Sequence, residues 1–412
     1  MFFFKELEVR NGHNMPANKP VILVANHQNA MLDPVVLCLL NKKQLHWLTR
    51  ADIFKKPRIN NLLRRLNMLP VFRERDRVAD LLEKNKATFD ECFDRLKAGA
   101  VVCIFPEGTH RGKKQLVPLK KGLARMITGA LDADVKDLVI VPVGLEYENY
   151  FEYRKNLLIN FGEPISVNQL FNAEELSNPK VHAGITQIIQ QKMISLMINI
   201  DNDNVYHEIM SLKPLCDSLT ADGSLATEFD FFKTFSERAD KNENFHHFLN
   251  HDVNEYKKLM HELHLSENLY RENINLGELM IVAFGLPFAL ISALVYYPIY
   301  TLTERFVAKV IKDPLFRNSI RLCFWTFLTP IYLLIIFFIA KIVTHSWNFS
   351  GAIILLLVMS GLISLQWWPV WKRLMHRIKC KEYQKSGNPK YTEWFAKRDK
   401  IIAWIKNVNT AF

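Results

Sequence analysis

Two stretches without a single charged residue, 322–340 and 351–371, constrain this chain more than any other feature. Each is long enough to cross a hydrocarbon core of ~30 Å as a helix, and inside lipid only helices or closed barrels satisfy every backbone group. Trp347, Trp367, Trp368 and Trp371 gather near the ends of the second stretch, where amphipathic rings favour the interface. A third apolar stretch, 279–302, is broken by Gly285, Pro287 and Pro298. It is expected to form a re-entrant or interfacial hairpin bent at its prolines. Arg305, Lys309, Lys312, Arg317 and Arg321 precede the first clear span, and Lys372, Arg373, Arg377, Lys379 and Lys381 follow the second, with only Lys341 between them. Two crossings would put both basic flanks on one side. The positive-inside rule makes that side cytoplasmic, and everything N-terminal lies there too.

The remainder divides by pattern. Apolar runs at 21–25, 101–105, 139–145 and 157–162 alternate with charged helical segments such as 78–97. This alternation predicts an α/β domain over 1–170, a mixed sheet with flanking helices. Residues 171–272 are charged, Asn-rich and of helical period around 182–200 and 255–264, which suggests a helical subdomain or linker. The membrane domain then occupies 273–371. The tail, 372–412, intersperses Trp394, Phe395 and Trp404 among basic residues, as an amphipathic helix on anionic lipid would.

Charge sharpens the class. A net charge of +11 and a pI near 9.2 call for an anionic partner. Nucleic acid is the weakest choice, because the basic residues lie beside membrane segments and no recognition motif accompanies them. The six cysteines are widely spaced with no C-x-x-C pair, so they read as reduced packing residues. Met1-Phe2-Phe3-Phe4 is too short for a cleavable signal peptide. His246, His247 and His251 lack metal-ligand spacing, and no metal or cofactor is expected.

Two polar blocks follow apolar runs. The run 21–25 ends in Asn26-His27-Gln28-Asn29-Ala30-Met31-Leu32-Asp33-Pro34, and the run 101–105 in Pro106-Glu107-Gly108-Thr109-His110-Arg111. Strands that deliver polar groups from their carboxyl ends commonly build the site of an α/β sheet. On a helix His27 and Asp33 would lie about 240° apart, so they meet only if the chain turns between them. Pro34 suits a first helical position with Asp33 as N-cap. A loop from Asn26 to Leu32 would then fold His27 back to that carboxylate and make a general base. The plainer reading keeps Asp33 as a cap and His27 as a satisfied loop histidine.

Further clusters surround these. Arg73, Arg75 and Arg77 follow the run 69–72, where a guanidinium suits phosphate capture, although Arg75 and Arg77 also fit a solvated helix start. Residues 42–77 hold eleven Lys/Arg against three acids, which a membrane-facing patch explains as well as substrate binding does. Gly108 would permit close backbone approach. Lys120-Lys121-Gly122 precedes a helical run whose N-terminus adds positive potential for an anion. Pro142 inside a strand run suggests an edge, a bulge or a groove wall.

Four blocks together resemble the PlsC-type glycerolipid acyltransferases: Asn26-His27 with Asp33-Pro34, Pro70-Val71-Phe72-Arg73, Phe105-Pro106-Glu107-Gly108-Thr109, and Val141-Pro142-Val143. The resemblance covers residues 1 to about 170. It implies transfer of a fatty acyl group from an acyl thioester, on coenzyme A or an acyl carrier protein, to a hydroxyl of a phosphorylated glycerol. His27 would be the general base and Asp33 its orienting partner. Arg73 would bind phosphate, while Asn26, Glu107, Gly108, Thr109, Arg111 and Lys120 would line the acceptor site. His27 and Asp33 are spaced H-x5-D, where most members have H-x4-D. The longer spacing resembles the fungal-type subgroup that acylates glycerol 3-phosphate or dihydroxyacetone phosphate and carries C-terminal membrane segments. Arg111 stands one place later than the arginine of many members. Glycerol 3-phosphate is thus the expected acceptor, with lysophosphatidic acid or another lysolipid as the alternative. A non-enzymatic membrane adaptor is the reading furthest from these residues. The expected setting is a bacterial inner membrane or the endoplasmic reticulum, with the catalytic domain on the cytoplasmic face.

Overall fold

A computed structural model describes the chain except residues 1–2, 42, 74–75, 168–178, 221–222, 242, 271–275 and 411–412. It clusters into two compact units, Met1–Asn199 and Ile200–Phe412. The expected boundaries near 170 and 272 fall outside the described residues.

The first unit is built on an eight-stranded mixed sheet. Its strands are β1 (Leu7–Arg10), β2 (Val21–Ala25), β3 (Leu45–Arg50), β4 (Met68–Val71), β5 (Val101–Ile104), β6 (Val139–Tyr147), β7 (Leu157–Phe161) and β8 (Ile165–Ser166). They lie in the order β1-β7-β6-β2-β5-β3-β4, with β8 also pairing β6. The block β6-β2-β5-β3-β4 is parallel throughout, whereas β7 and β8 run antiparallel to β6. Parallel strands buried on both faces read as continuous apolar runs, which is why β2, β5, β6 and β7 were legible. Strands β1 and β3 carry charged or polar residues, and β4 is a four-residue strand that contains Pro70, so none gave a comparable run. Pro142 lies in an inner strand, not at an edge. It pairs with Val24, and the outer ladder of β6 breaks there, between Ile140↔Ile165 and Val143↔Phe161. A residue without an N–H is tolerated at that gap.

Helices α1 (Leu32–Leu40), α2 (Pro57–Arg65), α3 (Leu81–Lys97), α4 (Gly122–Asp132) and α5 (Pro179–Ser195) complete the unit. The core joins Ile22, Val24 and Val102 to Leu96 of α3, Ile127 of α4 and Ile185, Ile189 and Met193 of α5. Helix α5 therefore belongs with the sheet, since without it those apolar side chains would face water.

The second unit is helical. Short helices α6 (Tyr206–Ser211) and α7 (Lys213–Ser218) precede α8 (Leu225–Lys241), α9 (Glu243–Phe248) and α10 (Asn254–Glu262). Then come α11 (Leu276–Val310), α12 (Pro314–Thr344), α13 (Trp347–Lys385) and α14 (Pro389–Thr410). Helices α11, α12 and α13 are each long and apolar enough to cross a membrane. The expected hairpin at 279–302 is instead one continuous helix running through both prolines. Neighbouring helices donate to carbonyls upstream of each proline: Trp367 Nε1 to Val282 O and Tyr332 OH to Val295 O, both at 2.9 Å. These bonds tie the helix to its neighbours close to each proline, although the carbonyls that the prolines leave unpaired are those of Ala283 and Leu294. Small residues allow close packing of α11 on α13, with Gly285 against Trp367, Gly361 against Tyr296 and Ser292 bonded to Ser364 at 2.9 Å.

The direction of that packing corrects a second expectation. Glu278 pairs with Arg373 at one end and Tyr296 bonds Leu357 O nearer the other, so α11 and α13 run antiparallel. Glu304 and Arg321 meet at the far end of α11. The two basic flanks therefore lie at opposite ends of the α11–α13 pair, not together. The tail also differs from expectation. In α14, Trp394, Ile401 and Ile405 are buried, Trp404 packs on Phe235 and Phe248, and Arg398 forms a buried ion pair with Glu267 at 2.7 Å. Its apolar face is covered by helices of its own unit and is not left for lipid.

Candidate active site

The parallel strands β2, β3, β4, β5 and β6 all end at one edge of the sheet, and the candidate residues assemble there. Asn26 follows β2 directly. Its Nδ2 donates to Leu145 O at 3.0 Å and its Oδ1 accepts from Leu145 N at 2.6 Å, so it ties the strand end to β6. The chain then reverses through Ala30, held at φ 43°. A side chain in that left-handed region is strained, as at many functional turns.

The reversal brings His27 and Asp33 together, with Nδ1 and Oδ2 2.8 Å apart. The same oxygen accepts from Gln28 N and Asn29 N, each at 2.9 Å, and Oδ1 accepts from the Tyr147 hydroxyl at 2.6 Å. Asp33 is fully buried, and four donors meet its two oxygens there. Helix α1 begins at Leu32, so Asp33 sits inside the first turn and caps nothing. It turns back to the loop before it. An ionised carboxylate can only accept, which places a proton on Nδ1 and leaves Nε2 as an acceptor. The His27 side chain is 23% exposed, stacked on Phe105 at 4.3 Å, with His110 edge-on at 5.9 Å. Phe105 is backed in turn by Trp47.

Glu107 is buried, and its oxygens accept from His27 N at 2.8 Å and Val117 N at 3.0 Å. It thus holds the backbone of His27 and the segment 108–117 together. Burial pushes its carboxyl up to about 7, against the pull of those two amides. Gly108 adopts φ 63°, a conformation that favours glycine, and the Lys120 stem lies over it. Half-buried Thr109 continues this turn. Arg111 N and Gly112 N donate to Gln28 Oε1 at 3.4 and 3.1 Å, hanging the turn on the His27 loop. The side chains of Arg111 and Lys120 are exposed, and Lys120 N bonds Pro106 O just before α4.

Arg73 lies farther along the same edge, just past the end of β4. Three strand spacings separate β4 from β2, ~14 Å. Its guanidinium pairs with Asp76 at 2.9 Å and lies 3.7 Å from Asp52, which also pairs with Arg50. Arg73 beside it holds the Asp76 carboxyl below its usual range. Arg75 lies outside the described residues.

Two contributors escaped the sequence reading. Tyr147 ends β6 two residues beyond the predicted strand; burial, then Asp33, pushes its hydroxyl well up, so it remains a donor. Beneath it Lys114 pairs with buried Glu146 and donates to Tyr147 O at 2.6 Å. Gln28 was in plain view inside the motif, but nothing local signals its bond across to residues 111 and 112. All six cysteines are free, and no group of three His, Cys, Asp or Glu that could hold a metal occurs among the described residues.

Residues 6–146 match the family model described as Acyltransferase. Glycerol-3-phosphate O-acyltransferase 2 of Saccharomyces cerevisiae is 30% identical over 130 residues, 31% of this chain and 17% of that protein. Glycerol-3-phosphate O-acyltransferase 1 of the same yeast is 23% identical over 260 residues, 57% of this chain and 33% of that protein. The 1-acyl-sn-glycerol-3-phosphate acyltransferase of Bacillus subtilis is 27% identical over 117 residues, 28% of this chain and 53% of that protein. This chain thus spans a third or less of the two yeast relatives. The crystal structure of PlsC, the 1-acyl-sn-glycerophosphate acyltransferase of Thermotoga maritima, is 20% identical with a TM-score of 0.32, covering 45% of this chain and 71% of that one. Residues 6–146 are thus similar to the acyltransferase family.

Proposed function

We propose that this acyltransferase-family chain moves a fatty acyl group from an acyl thioester to a hydroxyl of glycerol 3-phosphate, at the surface of a membrane that its own helices enter. The observation that carries the reading is the His27–Asp33 pair, held at 2.8 Å with Tyr147 fixing the other carboxylate oxygen. His27 Nε2 takes the proton of the acceptor hydroxyl as that oxygen attacks the thioester carbonyl carbon. The tetrahedral adduct then collapses, the C–S bond breaks, and the departing sulfur receives the proton back from the imidazolium. A thioester is already electrophilic, so positioning and one base supply most of what is needed, the base on the order of 10²–10⁴ in rate. Exposed Lys120 and Arg111, beside the His27 loop, and Arg73 farther along the edge are the cations offered to the acceptor phosphate.

The acceptor is assigned from the H-x5-D spacing of His27 and Asp33 and from the names of the two yeast relatives. The Bacillus relative, named for a 1-acylated acceptor, supports a second reading in which lysophosphatidic acid is the substrate. The donor is coenzyme A or an acyl carrier protein. The antiparallel α11–α13 pair returns the chain to the face it left. Basic residues after Trp371 outnumber those between Arg305 and Arg321, which supports a cytoplasmic face for the N-terminal domain and the tail. The test is acyl transfer by the purified, detergent-solubilised chain, with each acceptor and with His27→Ala alongside wild type. Product from glycerol 3-phosphate that the variant loses supports the proposal. Product from lysophosphatidic acid alone keeps the base and moves the step. No transfer to either, from both donors, overturns it.

A further inference from the structure

Helix α2 leaves an apolar stripe uncovered. A surface helix normally turns its apolar stripe to the body and its charges to water. Here no residue of α2 is buried, and Ile59, Leu62 and Leu66, spaced i, i+3 and i+7 so that they share a face, are 40%, 57% and 52% exposed. The helix rests on the body through half-buried Asn60 and Leu63, roughly 100° round from the centre of that stripe, and exposed Arg64 beside them pairs with Glu91 of α3 at 3.0 Å. The apolar stripe therefore lies on an exposed flank of the helix, uncovered by the protein. Ile53 extends it upstream, 36% exposed. The stripe is edged by exposed Lys55, Lys56, Arg58 and Arg65, none of which has an acidic partner among the described residues.

We propose that α2 and the turn before it form a docking surface for an anionic lipid bilayer, with Ile59, Leu62 and Leu66 entering the headgroup–acyl boundary and Arg58 and Arg65 meeting acidic headgroups. An exposed apolar stripe rimmed by cations suits that interface: burial of the stripe and attraction of the rim act on the same plane. A protein partner would need acidic groups around an apolar groove, and a second copy of α2 would set its own cations against each other. A chain with three helices able to cross a membrane already brings such a surface with it. The inference does not depend on the acyl-transfer reading.

The test uses the full chain reconstituted in vesicles of phosphatidylcholine with phosphatidylglycerol. Exposed Cys38 is replaced by serine, and a nitroxide is attached at Leu62→Cys or, as the control on another face, at Asn61→Cys. Docking predicts that the label at 62 collides with oxygen in preference to a water-soluble nickel chelate, and that the label at 61 does the reverse. Equal aqueous exposure of both labels overturns the proposal. A label at 62 shielded from both reagents also overturns it, because protein would then cover the stripe. In pure phosphatidylcholine, or with Arg58→Ser and Arg65→Ser together, the docking equilibrium falls on the order of tenfold. No change there overturns the anionic assignment.

Discussion

The His27 end and the Arg73 end of the sheet edge hold their charges in opposite ways. Asp33 is wholly buried, with four donors on its two oxygens, and cannot move without leaving several of them unsatisfied. Arg73 is 24% exposed and shares its guanidinium between two surface acids, so a ligand could displace either at small cost. Chemistry calls for a fixed base, since misplacement raises the barrier directly. Recognition of a mobile anion calls for a cation that can exchange partners. The edge thus runs from a preorganised end to an adjustable one, and substitutions at each should differ in kind as well as size.

The largest effect belongs to the fixed end. His27→Ala should lower kcat by roughly 10²–10⁴ with little change in the KM of the acceptor, because it removes the base and no binding contact. A rise in KM with kcat intact would place His27 in binding and erase the contrast.

Glu107 comes next. Its carboxyl lies at about 7 against 4.5 in the unfolded chain, so its contribution to stability is full below 4.5 and is lost as pH rises through 7. The loss is about 3 kcal/mol. Glu107→Gln should remove that slope: in detergent, the wild-type melting temperature should fall between pH 5 and 8 relative to the variant's. A constant difference across that range would mean the carboxyl does not titrate there. In function, ionisation favours both amide bonds, so wild-type activity should rise through pH 7 as the His27 loop tightens.

Tyr147→Phe removes one donor from the buried carboxylate and should cost about 1.5–3 kcal/mol of stability, by thermal melting, with a smaller loss of rate because Asp33 keeps its bond to His27. If neither quantity moves, Asp33 is less tightly fixed than its geometry states.

Legibility in the sequence followed distance along the chain. His27 and Asp33 lie six residues apart, after an apolar run typical of a buried parallel strand, and a local pattern is enough to pair them. Tyr147 lies 114 residues from Asp33, and only the β2–β6 register, Ala25 opposite Val143, brings it there. Glu107 was legible as polar but not as a backbone clamp, because amide directions are set by the fold. Helix α14 shows the same limit in reverse: Trp394 and Ile401 with basic neighbours would read alike whether lipid or protein covered them, and here it is protein. Pro287 and Pro298 misled because a proline need not end a helix that its neighbours hold, and Trp367 and Tyr332, which bond backbone close to them, come from other helices.

The smallest effects, at the adjustable end, are the most discriminating. Arg73→Ala should raise the KM for a phosphorylated acceptor a few-fold and leave kcat alone, as expected for roughly 1 kcal/mol at a partly exposed ion pair. Asp76→Asn should do the reverse and lower that KM, because it removes the acid that competes with phosphate for Arg73. The asparagine oxygen can still accept from Arg73 N, as Asp76 Oδ2 does at 2.8 Å, so the turn survives. Opposite signs from two neighbouring substitutions cannot come from a general loss of structure. If both variants melt earlier and neither shifts KM, Arg73 is a turn staple, and the acceptor phosphate must be held nearer His27, by Lys120 or Arg111.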